Sequence, residues 1–149
     1  MSNILTQILY EQDYHLWLES TLKQLQEGDL EHLDWEHLIE EIERLGNEQK
    51  HKLESYLLQL LKHLLLYQHW SLPEYKNHWE VEIDNFRVEL RKLTKSKNLY
   101  NYLLTMLEEV YIDALRQTKK KSGLNCFPQT CPYSIEQILD VDYLPPFIS

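Results

Sequence analysis

Glycine and proline are scarce in this chain of 149 residues, at 3 and 5 copies. So few breakers leave room for long helices. They argue against turn-rich sheet folds, which need a turn signal every few residues. Cysteine is scarcer still. Cys126 and Cys131 are the two present, too few for a disulfide framework, and the expectation is reduced thiols in a cytoplasm. Long apolar runs are also missing. The most apolar stretch, Tyr56 to Tyr67, is interrupted by Gln59, Lys62 and His63, too short and too polar to span a bilayer. Met1 to Leu5 carry no basic n-region and no apolar core, so no signal peptide is expected. There is no Gly-rich phosphate loop, nucleotide fingerprint or Ser/His/Asp signature.

Basic charge is nearly absent from the first third. Residues 1–48 hold 12 acidic and 2 basic side chains, a net −10, whereas residues 49–149 hold 13 basic and 12 acidic, a net +1. The whole chain, at −9, is a poor non-specific nucleic-acid binder, because phosphate neutralisation needs a basic surface. One stretch runs the other way: Arg87 to Lys121 holds nine basic and four acidic residues.

What is present is helical periodicity. Asp13 to Glu27 reads as a helix with Tyr14, Trp17, Leu18, Thr21, Leu22 and Leu25 inward and Gly28 as its stop. A short extra helix is expected around Ile4 to Tyr10. Asp34 is an N-cap for the next helix, with Leu33 and Leu38 at the staple positions. Trp35, Leu38, Ile39, Ile42 and Leu45 share one face, expected to be buried, and Gly46 is expected to end the run. His37 with Glu41, and Glu40 with Arg44, are i,i+4 pairs. A further helix, expected from Asn47 to Trp70, is apolar over a wide arc and should be the central one. It joins the preceding helix if the chain does not break at Gly46. Ser71-Leu72-Pro73 breaks the chain. Pro73 then opens a helix carrying Trp79, Ile83, Phe86, Leu90 and Leu93, and another runs from Leu99 to Lys121 with Gly123 as its cap. A proline-held loop and a Ser134-capped short helix close the tail. The expected class is all-α: a compact helical bundle of about five main helices plus a short C-terminal helix. It forms a single domain over 1–149, with its core in 13–121 and a tail, 122–149, that staples it.

These motifs come in a familiar order. Asp13–Leu18 (DYHLWL), Asp34–Gly46 (DWEHLIEEIERLG), Leu61–Gln68 (LKHLLLYQ) and Gly123–Pro145 (GLNCFPQTCPYSIEQILDVDYLP) resemble the bacterial family catalogued as domain of unknown function twenty-nine. The resemblance covers essentially the whole chain and implies an all-helical fold. It brings no catalytic residues with it. The chain departs from the usual pattern after the helical histidine and leucines, where Leu66-Tyr67-Gln68-His69 makes the segment less basic.

Several constellations are candidate sites. Arg44 and His51, two helical turns apart, are the one Arg/His pair in range for phosphate contact and proton transfer. Glu36 and Glu40 with His63 are the candidate metal ligands. Cys126 and Cys131 lack two further zinc ligands and read as structural. Tyr67, His69, Trp70, His78 and Trp79 form a candidate small-molecule pocket. Glu36, Glu40 and Glu43 on one side, and Arg87, Arg91 and Lys92 on the other, are candidate binding surfaces. The leading expectation is a non-catalytic helical interaction module with no cofactor, meeting a protein partner or a second copy in the cytoplasm, with no membrane contact. The alternatives are a metal-dependent hydrolase or nuclease, and a nucleic-acid binder through the basic 87–121 helices.

Overall fold

The computed structural model describes residues 4–148, so the reading of Met1–Asn3 falls outside the described residues. Six α-helices are present among them: α1 (Ile4–Gln12), α2 (Tyr14–Glu27), α3 (Trp35–His69), α4 (Lys76–Leu93), α5 (Lys97–Ser122) and α6 (Ile135–Leu139), with a 3-10 turn at Pro73–Tyr75. The described residues contain no strand, so the fold is all-α, with four long helices and two short ones. None of the helices is long and apolar enough to cross a membrane. The chain divides into two compact units, Met1–Glu48 and Gln49–Ser149, and the division falls within α3.

In unit 1, α2 starts and stops at the expected residues, and α3 starts where expected. Asp13 accepts from Leu16 N at 3.1 Å to cap α2. Gly28, at φ 73°, ends it in the left-handed conformation that a side chain resists. Asp34 accepts from His37 N at 3.3 Å, opening α3.

The expected stop at Gly46 does not occur. α3 continues through it to His69 as one helix, and Gly46 is not among the positive-φ glycines. A lone glycine costs a helix only about 1 kcal/mol relative to alanine, and good helix formers stand on both sides of it. A Cβ added at Gly46 would meet nothing within 4 Å. Gly46→Ala is therefore expected to stabilise the protein by about 0.5–1 kcal/mol. A denaturation midpoint below that of the wild type would show that the helix breaks there.

The expected burial of α3's apolar face also fails. Trp35, Ile39, Ile42 and Leu45 are 45% to 61% exposed, and the buried side chains on this part of the chain are Leu33, Asp34 and Glu41. On α2 only Trp17 and Thr21 are buried, while Tyr14, Leu18, Leu22 and Leu25 stand exposed. Three helices, one of nine residues, offer too little surface to cover every apolar stripe they carry.

Unit 2 holds the large core. Leu53, Leu57, Leu60, Leu61, Leu64 and Leu65 of α3 pack with Ile83 and Leu90 of α4, with Leu103, Tyr111 and Ala114 of α5, and with Phe127, Tyr133 and Ile138 of the tail. Ser96 caps α5 through Leu99 N, and Gly123, at φ 71°, closes it. Ser134 and Gln137 form a reciprocal capping box on α6. The tail is tied down by hydrogen bonds at intervals. Tyr111 donates to Pro128 O at 2.7 Å, Tyr133 to Gln68 Oε1 at 2.8 Å, and Ile148 N to Gln68 O at 2.8 Å.

Candidate functional site

Unit 1 contains a dense polar network around two carboxylates. Asp34 is fully buried. Its Oδ2 accepts from Trp17 Nε1 at 3.1 Å and from His37 Nδ1 at 2.6 Å. A carboxylate can only accept, so the proton sits on Nδ1. The His37 ring is stacked under Tyr10 at 3.9 Å between centroids. Burial works against charging that ring, but the hydrogen bond to Asp34 and the nearby Glu40 and Glu36 outweigh it, and the pKa is raised.

One helical turn on, Glu41 accepts from Tyr10 Oη at 2.5 Å and from Tyr14 Oη. It also accepts from Arg44 Nε at 3.1 Å and Nη2 at 2.6 Å. Arg44 reaches on to Glu48 Oε1 at 2.5 Å. The Arg44 hydrogen bond is the largest reason that the Glu41 carboxyl is held down at about 2, with burial opposing and the two tyrosines helping. Tyr10's own hydrogen bond to Glu41 pushes its hydroxyl up to about 12. The network ties α1, α2 and the start of α3 together. Trp35 is held separately, by donating Nε1 to Leu30 O at 3.1 Å.

Unit 2 contains a half-open cavity of about 540 Å³. Tyr67, Trp70 and Trp79 line it together with Pro145, Pro146 and Phe147 of the tail. Trp70 and Trp79 are stacked with centroids 5.9 Å apart, and Tyr75 continues the stack onto Trp79 at 6.0 Å. Tyr67 Oη donates to Glu80 Oε1 at 2.7 Å. Lys76 Nζ stands 5.8 Å from the Tyr67 ring centre.

The family model described as domain of unknown function DUF29 matches residues 9–144. The chain belongs to the DUF29 family. All four motifs that carried the resemblance lie within that match but for Pro145. No curated protein and no solved structure matches this chain.

In this DUF29 chain the sequence-predicted residues fare differently. Glu36, Glu40 and Glu43 are exposed on the flank of α3, next to the uncovered apolar stripe. Arg44 pairs with Glu41 and Glu48 rather than with Glu40, and His37 pairs with Asp34 rather than Glu41. His51 is exposed and lines a second cleft of unit 2 together with Glu54 and Glu109. His63 is half-buried. Its Nδ1 donates to Gln59 O at 2.6 Å, and burial lowers its pKa. Among the described residues no three His, Cys, Asp or Glu side chains group so as to hold a metal ion. Cys126 is exposed and Cys131 half-buried, both free, and burial pushes the Cys131 thiol up to about 11.

Arg87, expected on a binding surface, is instead 1% exposed. Its guanidinium donates to three carbonyls of the tail. Arg91 donates Nη1 to Leu139 O at 2.6 Å, and Lys92 pairs with Glu89 at 3.3 Å. The helix periodicity placed these cations on α4 correctly but could not say that the tail buries Arg87 and leaves Arg91 exposed with one hydrogen bond to α6. Of the expected pocket residues, Tyr67, Trp70 and Trp79 line the cavity. His69 packs edge-on against Phe127, and His78 is exposed. Tyr10, Tyr14 and Trp17 escaped the sequence reading as site residues. Their one local signal was a cluster of aromatics spaced three and four apart.

Proposed function

We propose that this protein is a non-catalytic interaction module. In this reading residues 1–149 act as one domain, and the α3 stripe of unit 1 docks a basic amphipathic helix of a protein partner. The observation that carries the reading is the exposure of Trp35, Ile39, Ile42 and Leu45 beside Glu36, Glu40 and Glu43. Helical geometry places the apolar residues on one arc and the three carboxylates directly next to it. Contiguous exposed apolar side chains rimmed by charge mark interaction surfaces. An amphipathic helix with lysines along its edge satisfies both parts of this one. A second copy does not: two such faces would oppose carboxylate to carboxylate in a unit that carries −10, and like charges across an interface are costly.

The test is titration of the full chain with a synthetic helical peptide, leucines on one face and lysines on the other, against a counterpart with glutamates for lysines. The basic peptide is expected to bind and the acidic one not. An Ile39→Asp, Ile42→Asp variant should lose about tenfold in affinity, although it adds two negative charges. Equal or tighter binding by that variant would reveal mere charge attraction and overturn the reading. So would a dimer of the chain alone, seen by sedimentation and abolished by the same substitutions.

A further inference from the structure

The cavity of unit 2 is independent of the α3 stripe and carries a different chemistry. Its volume, about 540 Å³, lies in the range of small-molecule sites, roughly 300–1,000 Å³. Two features define what would fit. The first is the stacked series Tyr75, Trp79, Trp70, with rings inclined by only 22° to 24° to one another. A flat apolar ligand can extend such a stack or lie along its edge at little cost in desolvation. The second is charge. The chain has 24 acidic residues, yet none of them is among the described residues that line the cavity, where the one ionised side chain is Lys76. Lys76 is exposed, and its ammonium stands over the Tyr67 ring, on a flexible stem that can swing to meet an anion.

We propose that this cavity is a binding site for a planar aromatic carboxylate. The ring system would lie against Trp70 and Trp79, and the carboxylate would pair with Lys76. The tail supplies part of the wall, through Leu144, Pro145, Pro146 and Phe147. Pro145 is buried, and Ile148 N, donating to Gln68 O at 2.8 Å, anchors the segment just past Phe147. The apolar side of the ligand is thus enclosed by a wall already in place rather than by one that must order on binding, which avoids an entropic cost.

The probe is 2-naphthoate, compared with the neutral 2-naphthylmethanol. Binding is read by the four indole N–H resonances of the 15N-labelled full chain. The protein contains its own control, because Trp70 and Trp79 line the cavity while Trp17 and Trp35 belong to unit 1. Naphthoate is expected to shift the indole signals of Trp70 and Trp79 and leave those of Trp17 and Trp35 in place. Lys76→Ala should weaken naphthoate roughly fivefold, the size of a partly exposed ion pair, and leave naphthylmethanol unchanged. Phe147→Ala, at an exposed side chain, should weaken both. Three outcomes would overturn the proposal: no shift at millimolar naphthoate, equal shifts at all four tryptophans, or naphthoate affinity that is indifferent to Lys76→Ala. These results are separable from the peptide titration, which reports on unit 1 alone.

Discussion

Replacing Arg87 with methionine is expected to destabilise the protein by about 3–5 kcal/mol and to free the tail. The guanidinium donates Nε to Ile138 O at 2.8 Å, Nη1 to Tyr143 O at 3.0 Å and Nη2 to Gln137 O at 3.3 Å. Two of those carbonyls belong to the last turn of α6, where backbone oxygens run short of helical partners and a cation is favoured; Gln137 O also accepts from Asp140 N at 3.4 Å. α6 has five residues, too few to hold itself together. Burial lowers the Arg87 pKa, with Asp140 and Asp84 opposing, but a guanidinium starts so high that it stays charged at neutral pH. Methionine would fill much the same space and take the donors from Ile138 O and Tyr143 O, while Gln137 O keeps its bond from Asp140 N. Lysine offers one point charge in place of a planar fork and should restore only part of the loss. Chemical denaturation gives the magnitude. Amide exchange should show α6 and residues 140–148 opening well before α4 and α5. A loss below about 0.5 kcal/mol, with the tail still protected, would show that Arg87 is a bystander.

The second large effect is expected at Glu41. Glu41→Leu should cost unit 1 about 2–3 kcal/mol, because it removes the acceptor shared by Tyr10, Tyr14 and Arg44. The cost stays below that of a fully buried pair because Arg44 is half exposed and can recover water. The same substitution should change the pH profile. Glu41 is held down at about 2 from an ordinary 4.5. Its contribution is therefore complete above 4.5 and lost as pH falls from there toward 2. His37 has the opposite sign. Its pKa is raised above 6.5, so its contribution is complete below 6.5 and lost as pH rises through the folded value. Unit 1 should be most stable between those limits. Amide exchange of α2 as a function of pH would show it, and Glu41→Leu should flatten the acid limb while leaving the alkaline one. An unchanged acid limb in the variant would assign the acid loss to other carboxylates.

Helix ends were legible residue by residue. Asp13, Asp34, Ser134, Gly28 and Gly123 act through their own backbones and nearest neighbours, so the signal lies within a few positions of the sequence. Gly46 misled for the same reason. A glycine permits a left-handed cap but does not impose one, and the choice depends on whether the helix beyond it is stabilised. Here the leucines from Leu53 onward bury themselves in unit 2, which favours an unbroken α3. The polar network of unit 1 was barely legible. Asp34 could be seen as a cap, but its second oxygen serves Trp17, 17 positions away in sequence, and the Tyr10–Glu41 bond spans 31.

By itself the sequence determined the helical class, most helix ends, the family, the leucine core of α3 and the charge contrast between residues 1–48 and 49–149. All of these depend on local backbone chemistry or on composition. Only the tertiary structure decided which apolar stripes find a cover and which charges stay free. Periodicity shows that Trp35, Ile39, Ile42 and Leu45 share a face. It cannot show that this face stays about half exposed among the described residues, because burial depends on residues distant in the chain. The same holds for Arg87, which reads as one more cation of a basic helix until α6 folds over it and its donors are taken up by three carbonyls.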